Sequence, residues 1–197
     1  MKLLELLLDL IYPDAGSCPF CKRECTGGVC DACMQELKAL ELCGEAAYRY
    51  EGIVKSTVQR YKFGGKKYLY KDIARLTLRI LPEDYDVITN VPIHKKRRAK
   101  RGYDQAELLA RELSRLSGIP YEPLLVKVRH TQAQSTLDAH DRAQNIKGAF
   151  SAKESAKGRR ILLVDDVITT GATMSECEAE LLGQGAAVVK RIAFSKA

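Results

Sequence analysis

Residues 161–173 read ILLVDDVITTGAT, and their types in that order suit the binding of a phosphorylated sugar. Four apolar residues, Ile161 to Val164, predict a buried strand that delivers Asp165 and Asp166 to its end. Thr169-Thr170-Gly171-Ala172-Thr173 then turns into a helix. Backbone N–H groups in a glycine-containing turn at a helix N-terminus hold an anion, and threonine hydroxyls add donors, so a 5′-phosphate fits there. Carboxylates beside it accept hydrogen bonds from the ribose 2′- and 3′-hydroxyls. A plain acidic surface turn would leave the phosphate cradle after it without a reason.

A second cluster is made of cysteines. Cys18-Pro-Phe-Cys21 and Cys30-Asp-Ala-Cys33 are two CxxC knuckles separated by eight residues, with Gly27 and Gly28 in the loop between them. Two such turns bring four thiolates to the roughly 2.3 Å bonds of a tetrahedral zinc. Cys18, Cys21, Cys30 and Cys33 are therefore the expected metal ligands, and four protein ligands leave no open position for catalysis. Cys25 could stand in for Cys21, and a redox CxxC is the competing reading. Cys43 and Cys177 fit buried thiols. Seven cysteines, an odd count with paired CxxC spacing, favour metal over a disulfide framework.

A third cluster is cationic. Lys95, Lys96, Arg97, Arg98, Lys100 and Arg101 are six cations in seven residues. Lys95 and Lys96, closest to the preceding strand, suit a diphosphate. Arg97, Arg98, Lys100 and Arg101 exceed what a small ligand needs and make a track for a nucleic-acid backbone, with Tyr103 near enough to stack. A solvated loop is the plain alternative. His94 is a diphosphate contact, a proton donor or an ordinary surface histidine.

These clusters need a scaffold, and the sequence suggests one. Ala46–Tyr50 reads as a short extended segment followed by helical periodicity, broken at Lys62-Phe63-Gly64-Gly65. Asp86–Val91 is a buried-type strand, followed by a basic loop to about Tyr103. Asp104–Leu116 is a helix with Asp104 as N-cap. Leu124–Val128 and Arg160–Val164 are strands, Thr173–Leu182 is a helix closed by Gly183, and Ala186–Phe194 is the last strand. Such alternation predicts an α/β fold, a parallel sheet flanked by helices with ligands at the carboxyl ends of its strands. The expected division is a small N-terminal helix and zinc module over 1–43 and an α/β domain over 44–197.

Bulk properties agree with a soluble globular protein of 197 residues: 46% hydrophobic and 29% charged. A net charge of +7 favours polyanionic partners. The opening MKLLELLLDLIYPD is interrupted by Glu5 and Asp9 and is too short to span a bilayer, so a short packed helix and a cytoplasmic protein are expected, not an integral membrane one.

The 161–173 stretch resembles the 5-phosphoribosyl diphosphate (PRPP) motif of type I phosphoribosyltransferases, and VPIHKK at 91–96 resembles their pyrophosphate loop. Residues 117–150 are similar to the region carrying the flexible lid in the glutamine amidophosphoribosyltransferase branch. Position 2 is Lys where a glutaminase domain exposes a nucleophilic Cys, which argues against amination from glutamine. With the cysteine knuckles, YRYEG at 48–52, YKFGG at 61–65, RRAKRGYDQAELLA at 97–110 and the pattern from Gln134 to Phe150, the chain resembles the ComF family of competence proteins. That resemblance implies a phosphoribosyltransferase-like fold and a structural zinc. It also implies PRPP bound with Mg²⁺ by Asp165, Asp166, Thr169, Thr170, Gly171, Ala172, Thr173, Lys95, Lys96 and Arg129, with Gln134 and Arg142 as further contacts. The implied role is in natural transformation, binding single-stranded DNA and acting with a DNA-translocating ATPase or helicase, at the inner face of the membrane through its partners. The alternative is a Mg²⁺-dependent phosphoribosyltransferase with Asp165 and Asp166 as its catalytic pair. A pure assembly module docking the ATPase is a third reading.

Overall fold

The computed structural model describes residues 17–25, 28–129 and 146–197. The expected N-terminal helix, Gly27, His130, Gln134, His140 and Arg142 lie outside these residues, as does most of the lid region.

Four parallel strands form the central sheet: β1 (Ala46–Arg49), β2 (Val87–Asn90), β5 (Arg160–Ile168) and β6 (Val188–Lys196), in the order β1-β6-β5-β2. Two more, β3 (Leu125–Lys127) and β4 (Phe150–Ala152), pair antiparallel beside it. The helices are α1 (Asp31–Ala39), α2 (Gly52–Phe63), α3 (Tyr70–Thr77), α4 (Lys95–Arg101), α5 (Gln105–Ser117) and α6 (Ala172–Gly183).

Side-chain alternation along β5 divides the core. Leu162 and Val164 join Ile88, Phe194, Val58, Ile73 and Leu109 on one face. Ile161 and Leu163 join Val87, Met174, Cys177 and Phe150 on the other. A strand buried on both faces must be apolar at consecutive positions, which is why residues 161–164 carry no polar break. The first cluster also contains Cys18, Phe20, Cys33 and Leu37, so the cysteine-rich segment shares its core with the sheet.

Three stretches differ from the sequence reading. The basic loop is largely the helix α4, opened by His94, whose Nδ1 accepts from the Lys96 N–H at 3.3 Å, and closed by Gly102 at φ 79. Glycine takes this left-handed cap at no steric cost, so the stretch has helix signals at its ends. Strand β5 runs on past Val164 through the acidic pair to Ile168, because β6 continues beside it from Asp165↔Ala193 to Ile168↔Lys196. Strand β4 lies in a span read as polar; its pairing with β3 is a tertiary fact that a three-residue segment cannot announce. Asp104 caps α5 as expected, its Oδ1 accepting from the Glu107 N–H at 3.2 Å.

Candidate functional site

The register of β2 against β5 makes a notch. Their pairing ends at Asn90↔Val164, while β5 continues four residues further beside β6 alone. Beyond Val91, whose N–H donates to the Val164 carbonyl at 2.9 Å, the chain leaves β2 toward α4, and β5 turns into α6. A pocket opens between those departures, at the carboxyl ends of the strands.

Strand alternation places the two aspartates on opposite sides of the sheet. Asp166 follows Leu162 and Val164 toward α2 and is 4% exposed. There Lys62 Nζ lies 2.9 Å from its Oδ1, while Oδ2 is buried without a hydrogen-bond partner. Asp165 follows Ile161 and Leu163 to the other face, and its Oδ1 accepts from the Asp166 N–H at 2.8 Å. Burial pushes the Asp165 carboxyl well above the usual carboxylate range; the Asp166 charge adds to the rise and Lys62 opposes it. Lys127, on β3, is moved the other way, down to about 8, by burial and then by Arg97.

The turn after β5 carries Gly171 at φ 78, a left-handed conformation in which a side chain would be strained, and opens α6. Thr169, Gly171 and Thr173 line the pocket. Thr170, whose Oγ1 accepts from the Ala172 N–H at 3.5 Å, supports the turn from outside the lining. Four cations, Lys62, Arg97, Arg101 and Lys127, line the same space with apolar residues such as Val91, Ile93 and Met174.

The basic cluster is thus divided by the helix. Arg97 and Arg101, one turn apart, line the pocket, whereas Lys95 and Lys96 in the first turn are exposed and outside its lining. Arg98 pairs with Glu107 at 2.9 Å, and Lys100 lies on the same helix. Arg129 is outside the lining; its Nη2 donates to the Lys147 carbonyl at 2.7 Å. Tyr103 turns inward, its ring 6.0 Å from that of Tyr61 and its hydroxyl donating to the Tyr61 carbonyl at 2.5 Å. Asp104 fixes both flanks, its Oδ2 accepting from the Ile93 N–H at 3.0 Å while Oδ1 caps α5.

Lys62 and Lys127 were not singled out in the sequence. YKFGG drew attention as a motif, but a charge partner so distant in sequence cannot be read from it. Nothing marked Lys127 in a short strand.

Apart from the pocket lining, the cysteines converge. The Sγ atoms of Cys18, Cys21, Cys30 and Cys33 lie within 4.8 Å of one another, with Cys21 and Cys30 at 3.6 Å. A tight turn closed by the Lys22 N–H to the Cys18 carbonyl, 2.8 Å, presents the first pair; the start of α1 presents the second. Burial works against ionisation of Cys18, but the N–H groups of Cys21, Cys30 and Phe20 outweigh it and lower the thiol to about 6. Cys25 stands outside the four, its Sγ 3.5 Å from the Gly28 carbonyl.

Residues 98–196 match the family described as the phosphoribosyl transferase domain. The chain is similar to Competence protein F of Haemophilus influenzae, 34% identical over 190 residues covering 76% of this chain and 82% of that one. Competence protein ComFC of Bacillus subtilis is 27% identical over 205 residues, 91% of this chain and 83% of that one. Among solved structures, the glutamine PRPP amidotransferase of B. subtilis aligns at a TM-score of 0.44 and 26% identity, over 61% of this chain and 24% of that one.

Proposed function

Because the chain belongs to the ComF family of phosphoribosyl transferase domain proteins, we propose that it is a competence factor whose pocket takes a phosphoribosyl diphosphate ligand. The observation carrying this reading is the notch itself: two carboxylates, a glycine turn at a helix N-terminus and four cations face one space. A 5′-phosphate accepts from the turn at Thr169–Thr173 and the start of α6. The unpartnered Asp166 Oδ2 suits a ribose hydroxyl, since a buried acceptor without a donor is costly and a ligand hydroxyl removes that cost. Arg97, Arg101 and Lys127 offer charge for the diphosphate. Mg²⁺, when bound with it, would offset its negative charge beside Asp165.

Two further parts complete the proposal. Lys95, Lys96 and Arg98, exposed on α4, offer a basic track for single-stranded DNA, in a protein acting with a DNA-translocating ATPase during DNA uptake. Cys18, Cys21, Cys30 and Cys33 hold a structural zinc. Their convergence fits a tetrahedral thiolate site, in which neighbouring sulfurs stand about 3.8 Å apart given bonds of about 2.3 Å. On this view residues 1–43 are the metal module and 44–197 the ligand-binding domain. Among the described residues no helix is long and apolar enough to cross a membrane.

Titration calorimetry with PRPP and Mg²⁺ tests the ligand, set against a variant with Asp165→Asn and Asp166→Asn. Each lost charge-assisted hydrogen bond should cost roughly 1.5–3 kcal/mol, about ten- to hundredfold in affinity. Equal affinity for parent and variant would put the ligand elsewhere. Loss of transformation on deleting the gene in a competent host tests the role, and unimpaired transformation rules it out.

A further inference from the structure

Phe63 is the most exposed of the large hydrophobic residues described, with 74% of its surface open. A single exposed apolar side chain is ordinary. The neighbours of this one are not. Lys62, immediately before it, lines the pocket and pairs with Asp166. Arg101 lines the pocket from α4 and sets its guanidinium carbon 5.0 Å from the centre of the Phe63 ring. The ring, outside the lining itself, therefore rests against one cation of the pocket wall and follows another in sequence.

Its position is held by the backbone. Helix α2 ends at Phe63, and the Gly64 N–H donates to the Arg60 carbonyl at 2.9 Å. A Cβ at residue 64 would lie 2.8 Å from that same carbonyl oxygen, so the close turn that follows Phe63 favours glycine. Tyr103 cannot serve instead, because its ring packs against Tyr61 and its hydroxyl is taken by the Tyr61 carbonyl.

We propose that Phe63 is a stacking platform for the nucleobase of a nucleotide whose sugar and phosphate occupy the 165–173 pocket. Arg101 serves both ends of that ligand, its charge near the phosphate and its guanidinium against the ring. An open aromatic face takes any base, and cations beside it track the phosphate. The ligands of the pocket thus extend from the base-free phosphoribosyl diphosphate to a nucleotide, free or as part of a single strand. The inference rests on the pocket being a sugar-phosphate site.

The chain contains no tryptophan, so Phe63→Trp introduces a single reporter at the platform. Its emission should be quenched by dAMP and by a short 5′-phosphorylated oligodeoxyadenylate, but not by PRPP with Mg²⁺, which has no base. Phe63→Ala should lose roughly five- to hundredfold in affinity for the base-bearing ligands and keep the parent's affinity for PRPP. Loss shared by both base-bearing ligands assigns the ring to nucleotides in general, and loss for the oligonucleotide alone assigns it to DNA. If Phe63→Ala binds all three ligands as the parent does, the platform is overturned while the sugar-phosphate pocket stands. Failure of PRPP to bind the parent would overturn the pocket reading and this one with it.

Discussion

Lys62 Nζ lies 2.9 Å from Asp166 Oδ1, tying the last turn of α2 to the strand that carries the acidic pair. Burial alone would favour neutral lysine, but Asp166 and then Asp165 outweigh it and raise the Lys62 pKa, so the ammonium persists. The pair is unequal in exposure, 24% for the lysine side chain and 6% for the aspartate. Removing the lysine therefore leaves the more deeply buried charge alone.

Lys62→Met should accordingly cost about 3 kcal/mol, the low end for breaking a buried pair because Lys62 keeps some access to water. Urea denaturation measures it. An unchanged midpoint would mean that Asp166 does not depend on this partner.

Asp165→Asn should separate stability from binding. Its raised pKa means that, between the ordinary carboxylate value and the folded one, the native state holds more protons than the unfolded state. Asp165 therefore destabilises the fold increasingly as pH rises through that window. The asparagine variant, which keeps the Oδ1 acceptor for the Asp166 N–H, should be the more stable of the two at neutral pH and lose that advantage as pH falls below about 4. Thermal melts across pH read the crossover, and a constant gap would mean that Asp165 titrates normally.

The pocket was partly legible in the sequence, and the legible part was local. ILLVDD and TTGAT lie within one strand–turn–helix, so strand periodicity and turn chemistry sufficed to place Asp165, Asp166 and Gly171 together. What escaped was set by tertiary register. The overhang of β5 past β2 depends on where two distant strands stop pairing, and Arg97 and Arg101 rather than Lys95 and Lys96 line the pocket beside it. Density of charge suggested an open loop, whereas His94 and Gly102 cap a helix that sorts those charges by face. The cysteine spacing, by contrast, named four residues whose sulfurs do converge, because two short turns leave little freedom.

Cys30→Ser should abolish metal content and destabilise more than the knuckles. Cys18 and Cys33 are part of the same core cluster as Leu162 and Phe194, so losing a metal bound there would expose apolar surface continuous with the sheet. A loss above about 4 kcal/mol is expected, a size that loss of a metal site can reach. Elemental analysis with denaturant melts checks both, and Cys25→Ser should retain the metal. Zinc-free parent protein purified without chelator would end the assignment.

The division of α4 predicts two phenotypes. Lys95→Ala with Lys96→Ala should weaken single-stranded DNA binding and flatten its log–log salt dependence by about 0.7 for each phosphate that the variant no longer neutralises, with PRPP affinity unchanged. Arg97→Ala with Arg101→Ala should impair PRPP as well. Identical behaviour of the two variants toward both ligands would remove the distinction.

Helix α2 grips the molecule at both ends of its last turn. Arg60 donates to the carbonyls of Pro19 and Phe20 in the first cysteine knuckle, through Nη2 and Nη1 respectively. Lys62, two residues on, holds Asp166. The helix is therefore a lever with the thiolate cluster on one arm and the acidic pair on the other. Were a metal at the thiols and a ligand at Asp166 coupled through this helix, the coupling would act equally in both directions, each tightening the hold on the other by the same factor.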